Sequence, residues 1–202
     1  MKIFCIGRNY ADHAREMGSS VPAAPMVFMK PSTALVVNEK PFYIPDFSNE
    51  VHYEAEIVLR ICKNGRSVQP EFAASYYDAV TVGLDLTARD LQQQCKEKGH
   101  PWEIAKAFDH SAPVGRWVPM SELPDGSLDF TLRKNGEVVQ QGNTGDLIFD
   151  FATLICHISR YFKLQQGDLV FTGTPAGVGP VAAGDVLEGF LIEDKLLHCE
   201  VR

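Results

Sequence analysis

Three carboxylates stand in a pattern that could hold a metal ion. Glu54 and Glu56 are two residues apart in HYEAEIVLR, and Asp85 follows in VTVGLDLTARD. On an extended chain, residues i and i+2 leave the same face, so both glutamates point one way, together with His52. Taken alone, such a face is most simply a solvated polar surface. The adjoining Ile57-Val58-Leu59 run argues for a strand buried on both faces. There, two carboxylates cannot both stay ionised unless a cation or other partner compensates them. Three carboxylates supply hard oxygen donors and leave coordination positions open, which suits Mg²⁺ or Mn²⁺ and not structural zinc.

His13 and Glu16 are three apart in YADHAREMG, close enough to touch on a helix. They form either a surface pair or a dyad in which the carboxylate orients the imidazole and the imidazole activates water. Lys106 lies in the apolar context IAKAF. Its stem could cover the rim of a sheet, or its ammonium could be a fixed cation for a substrate carboxylate or a developing enolate oxygen. Arg8, at a strand end, and Lys30, just before Pro31, are further anion-reading candidates. Residues 172–180, TGTPAGVGP, follow an apolar strand but lack the Gly-Lys-Ser/Thr of a phosphate loop. Pro175 and Pro180 also deny this stretch a helix. It is a tight structural turn, or a cradle whose N–H groups and Thr174 hold a small carboxylate. Cys5, Cys62, Cys95, Cys156 and Cys199 are odd in number and scattered, which reads as reduced core thiols.

These side chains must be placed by the elements around them. Residues 1–6, 26–30, 34–37, 42–44, 52–60, 80–86, 169–172, 186–192 and 196–201 read as strands, and residues 119–126 as loop. A helix is expected over 10–17, capped by Asn9 and closed by Gly18, with others over 71–77 and 88–98, the last stopped by Gly99. Asn135-Gly136 predicts a tight hairpin within 128–141. Asp150 opens a helix to Phe162 that carries Phe151, Leu154, Ile155 and Ile158 on one face. Glu193-Asp194 is the expected turn between the last two strands. Many short strands without regular βαβ alternation indicate an α+β fold with a mixed or antiparallel sheet.

The chain has 202 residues with a formal net charge of −7, a length suited to one domain. The acidic balance makes nucleic acid or an anionic membrane a poor partner. No apolar run approaches a membrane span, and the N-terminus does not read as a signal peptide. A cytoplasmic protein is expected.

The segments GRNYADHAREMG, VFMKPSTAL, HYEAEIVLR, GLDLTARDLQQQCKEKGHPWEIAKAFD and GDLVFTGTPAGVGP together resemble the fumarylacetoacetate hydrolase family. Within it they look like the small acylpyruvate hydrolase branch, over about residues 3–201. The resemblance implies a β-rich α+β fold, a mixed β-sandwich roll forming a single catalytic domain over 1–202, and a homodimer. It also implies Mg²⁺ or Mn²⁺ on Glu54, Glu56 and Asp85, His13 and Glu16 as the water-activating dyad, and Lys106 as a catalytic lysine. Gln92 and Thr174 match substrate-contacting positions, and Arg8 is expected beside them. Tyr53 stands where relatives often have a second histidine.

The activity implied is metal-dependent hydrolysis of the C3–C4 bond of 2,4-dioxo acids to pyruvate and a carboxylic acid, with decarboxylation of oxaloacetate as a companion. The partner is then a small 2-oxo acid. Hydration, isomerisation or decarboxylation of 2-oxo-dienoates is the alternative within the family. A non-catalytic module that binds oxo acids is the reading from a different class. Against that module, a binder needs neither a Lewis acid nor a base.

Overall fold

The structure, a computed structural model, describes residues 1–16, 18 and 20–202. Its principal sheet has six strands in the order Met26–Lys30, Ile3–Gly7, Leu169–Phe171, Ala55–Ile61, Tyr77–Leu84 and Val118–Pro119. Ile3–Gly7 and Leu169–Phe171 run parallel, and every other pairing in this sheet is antiparallel. Glu137–Asn143, Asp129–Lys134, Val186–Leu191 and Asp194–Glu200 form an antiparallel four-stranded sheet. A small sheet joins Gly179–Pro180, Val51–Tyr53 and Thr87–Ala88, and Leu35–Val36 pairs with Ala112–Pro113. This is the mixed, strand-rich α+β fold that the sequence implies. Among the described residues no helix is long and apolar enough to cross a membrane.

Period-two alternation explains how the principal sheet divides two apolar layers. Phe4, Ile6, Ile57, Leu59 and Val170 enter the larger core, which also takes Phe130, Leu132 and Leu187 of the four-stranded sheet. Ile3, Cys5, Val58, Leu169 and Phe171 face a smaller core with Ala112 and Val114. The central strand is therefore buried on both faces, as Ile57-Val58-Leu59 suggests. The Phe151–Tyr161 helix seals the larger core with Leu154, Ile155 and Ile158, and Asp150 Oδ1 caps it by accepting from the Thr153 N–H at 2.8 Å. At the hairpin tip Asn135 and Gly136 both adopt positive φ, at 54° and 86°. All five cysteines are free thiols, three of them fully buried.

Several elements differ from the sequence expectation. The strand expected over 52–60 is broken at Glu54, where the chain passes from the small sheet into the principal one. Residues 42–44 make only an isolated bridge, Phe42 to Val201, in which the Phe42 and Ile44 N–H groups donate to the Glu200 and Arg202 carbonyls, both at 2.8 Å. The last turn falls at Ile192-Glu193, with Leu191 opposite Asp194, since the ladder register outweighs the turn preference of the acidic pair. Ile192 accepts φ 55° in consequence. The helix expected over 71–77 shortens to Pro70–Ala73 and a 3-10 turn to Tyr76. The strand expected over 80–86 runs instead over Tyr77–Leu84.

At the N-terminus the helix covers Ala11–Glu16, and its expected end at Met17 lies outside the described residues. Asn9 does not cap it. The buried Asn9 side chain donates to the Phe149 and Thr172 carbonyls at 3.0 and 2.8 Å and accepts from the Phe149 N–H at 2.8 Å. A short helix that the sequence pattern does not announce, Glu103–Lys106, carries Lys106.

Candidate active site

The break at Glu54 is what assembles the acidic cluster. Glu56 pairs with Gly83 across the two central strands, so Asp85 emerges beside Glu54, and its N–H donates to the Glu54 carbonyl at 2.8 Å. Oxygens of Glu54, Glu56 and Asp85 all lie within 4.8 Å of one another, and each residue is buried. His52, expected on the same face, pairs with Glu50 at 2.8 Å and meets Arg89 Nε at 3.4 Å.

Three cations surround the cluster. Lys106 Nζ donates to Glu54 Oε2 and Asp85 Oδ2, both at 2.8 Å, so this lysine is no rim-covering stem. Arg89 Nη2 bonds Glu54 Oε1 at 2.6 Å, and its Nη1 bonds Gln92 Oε1 at 2.7 Å. Lys30 lies behind the cluster, 2.8 Å from Asp85 Oδ1. Its protons are directed to the Lys106 and Ser111 carbonyls and the Ser111 hydroxyl. It therefore braces Asp85 and the Lys106 helix and does not read an anion in the cavity.

Charge is unevenly compensated. Burial alone would raise the Glu54 carboxyl, but Lys106 and Arg89 hold it well below the usual carboxylate range. Burial and then Asp85 push Glu56 well above that range, with the Gly173 N–H opposing at 2.6 Å. Among the described residues no cation closes on Glu56. Burial works against the charge on Lys106, yet Asp85 and Glu54 raise it above the ordinary lysine value. Asp85 Oδ1 is buried and pairs with the Lys30 ammonium at 2.8 Å, outside hydrogen-bond geometry. An all-oxygen donor set that includes one under-compensated carboxylate fits a hard divalent cation.

Opposite the acids stands His13, buried on the Ala11–Glu16 helix. Its Nδ1 is 3.4 Å from Glu16 Oε2, and Glu16 in turn accepts from the Gly177 N–H at 3.2 Å. Burial lowers the His13 pKa from 6.5, against the opposing pull of Glu54 and Glu16. The dyad is thus anchored to the 172–180 loop. Gly177, at φ 96°, permits this, since a Cβ there would lie 2.4 Å from the Val139 carbonyl oxygen.

A cavity of about 30 Å³ joins these groups, room for one or two waters. Its lining includes Arg8, His13, Glu54, Glu56, Asp85, Gln92, Lys106 and Thr174. Of the ten candidate side chains, eight line this cavity; Glu16 reaches it through His13, and Lys30 lies behind Asp85. Arg8 sits there with a left-handed backbone, φ 58°. Sequence reasoning missed Arg89, Lys96 and Trp102, which share the lining. Arg89 was detectable as the i,i+3 neighbour of Gln92 on the Arg89–Lys98 helix. Lys96 and Trp102 carry no comparable local signal.

Buried acids on a broken strand at the rim of this mixed sheet, faced by a histidine dyad, define an enzyme-like site, and the chain belongs to the fumarylacetoacetate hydrolase C-terminal family, whose model matches residues 2–195. Among similar proteins, the human mitochondrial oxaloacetate tautomerase FAHD1 is 43% identical over 187 residues, covering 92% of this chain and 85% of its own. Oxaloacetate tautomerase YcgM of Escherichia coli is 44% identical over 188 residues, covering 92% and 86%. The crystal structure of fumarylpyruvate hydrolase from Pseudomonas aeruginosa, in complex with Mn²⁺ and pyruvate, superposes with a TM-score of 0.94. It is 40% identical, with 100% of this chain and 89% of that one covered.

Proposed function

We propose that this protein is a Mg²⁺- or Mn²⁺-dependent hydrolase of acylpyruvates, cleaving the C3–C4 bond of 2,4-dioxo acids to pyruvate and a carboxylic acid. One observation carries the reading: a buried triad of oxygen donors faces a histidine–carboxylate dyad across a single small cavity. Glu54, Glu56 and Asp85 would hold the ion, which when bound supplies Lewis acidity toward the keto and carboxylate oxygens of the substrate. The relative that binds Mn²⁺ and pyruvate supports this.

The remaining chemistry falls to the side chains. Glu16 takes the Nδ1 side of His13, leaving Nε2 as the basic nitrogen. Nε2 removes a proton from water, and the water oxygen adds to the C4 carbonyl carbon. The C3–C4 bond then breaks with its electron pair on C3, giving the pyruvate enolate, which takes up a proton at C3. Lys106 donates to the enolate oxygen as its charge develops. Arg8, Gln92 and Thr174, which line the cavity, hold the 2-oxo acid end.

The names of the 43% and 44% identical relatives favour a second reading, tautomerisation of oxaloacetate. In that reaction His13 moves a proton between C3 and the C2 oxygen, through the same enolate and without water. Assays of the Mn²⁺-loaded protein with fumarylpyruvate, acetylpyruvate and oxaloacetate separate the two. Pyruvate release from an acylpyruvate, abolished by chelation, is the expected result. Accelerated keto–enol exchange of oxaloacetate with no acylpyruvate cleavage would replace the first reading with the second, and loss of both would end the proposal.

A further inference from the structure

Gln140 belongs to the Glu137–Asn143 strand of the four-stranded sheet, yet its side chain reaches the site from behind. It is 2% exposed and fully engaged. Gln140 Oε1 accepts from the Ala55 N–H at 2.9 Å, the donor freed where the strand breaks after Glu54. Nε2 donates to the Pro175 carbonyl at 2.9 Å and meets Thr174 Oγ1 at 2.8 Å.

These partners fix which end of the amide is which. A main-chain N–H requires the oxygen and a main-chain carbonyl requires the nitrogen, so the second Nε2 proton goes to Thr174. Thr174 Oγ1 is therefore an acceptor toward Gln140, and its own proton is left over. Among the described residues the Thr174 hydroxyl donates to nothing, and Thr174 lines the cavity with the acidic triad.

We propose that Gln140 is a positioning residue for the site: by donating to Thr174 it fixes that hydroxyl as a hydrogen-bond donor into the cavity, toward an oxygen of the bound oxo acid. The inference rests on the reading that Thr174 contacts the substrate. Replacing the amide by an acceptor-only carboxylate reverses the arrangement. In Gln140→Glu the Ala55 N–H keeps its acceptor, but Thr174 must turn its proton inward, and the cavity loses a donor.

A double-mutant cycle on the Mn²⁺-loaded protein, with oxalate binding read by calorimetry, tests this. With Gln140 present, Thr174→Val should weaken oxalate about 10–100-fold, the scale of a hydrogen bond to a charged group. In the Gln140→Glu background the same change should cost less than about 3-fold, because the donor is already withdrawn. Repulsion between the new carboxylate and oxalate is present with and without Thr174, so it drops out of the comparison. If Gln140→Glu does not fold, Gln140→Met serves. There the hydroxyl is no longer held in place but can still donate, so the Thr174→Val penalty should fall only part of the way towards that in Gln140→Glu. An equal penalty in wild-type and Gln140 backgrounds overturns the inference. A Thr174→Val protein that binds oxalate normally would instead remove the substrate-contact reading beneath it.

Discussion

In the proposed mechanism hydrolysis depends on His13, and two measurements examine that role. As a positioned general base, it should be worth roughly 10²–10⁴-fold, so His13→Ala should lower acylpyruvate turnover by that much. Mn²⁺ affinity should hardly change, since the acids lie on other elements. Oxaloacetate decarboxylation, which needs no attacking water, should suffer far less. Equal loss of both activities would recast the helix as a wall of the site. The sign of the pH dependence follows from burial. The histidine pKa is lowered, so the neutral, basic form persists to below pH 6.5. The acid limb of kcat/KM for hydrolysis therefore belongs below that value. Were His13 acting as an acid, activity would instead already be falling toward neutral pH.

At the scale of elements, Asn9 joins the exit of the first strand to the segment that carries Gly173. Gly173, at φ 110°, is in turn pressed against Asn9: a Cβ at position 173 would lie 2.6 Å from the Asn9 Cβ. Asn9→Ala leaves the part-buried Phe149 N–H without its acceptor and the buried Thr172 carbonyl without its Asn9 donor, at a combined cost of about 2–3 kcal/mol. Melting should drop by about 5–10 °C in a chain of this size. Asn9→Asp discriminates between roles, because a helix cap tolerates aspartate. In this network a carboxylate would face the Phe149 and Thr172 carbonyls and should be at least as damaging. An Asn9→Asp protein as stable as wild type would restore the capping role. The same network shows what the sequence does and does not disclose. The Asn135-Gly136 hairpin, the Asp150-capped helix and the doubly buried central strand are legible because local turn chemistry and periodicity determine them. The break at Glu54, the four-residue helix under Lys106 and the reach of Gln140 are not legible. Each is set by what another sheet supplies, and no local pattern encodes it. The three acids were visible by type, but their convergence needed the pairing of Glu56 with Gly83.

For the whole molecule, the site lies where all three larger sheets meet. Glu54 sits between the small and principal sheets, Asp85 ends a principal strand, and Gln140 arrives from the four-stranded sheet. A cation bound there is bound by the folded chain alone, so it must stabilise the whole fold. At a hundredfold excess over Kd the gain is about 2.7 kcal/mol, or roughly 5–10 °C in melting temperature. Mn²⁺ should raise the melting temperature by that order, and a chelator should reverse the rise. Glu56→Gln separates this effect from general ionic stabilisation. The amide oxygen can still accept from the Gly173 N–H. The substitution also removes the one buried carboxylate that Asp85 repels and no cation closes on. The metal-free variant should thus melt no lower than wild type, while its response to Mn²⁺ largely disappears. A full Mn²⁺ shift in Glu56→Gln would place the ion elsewhere on the protein. A metal-free variant that melts well below wild type would show instead that the Glu56 charge is satisfied by the fold itself.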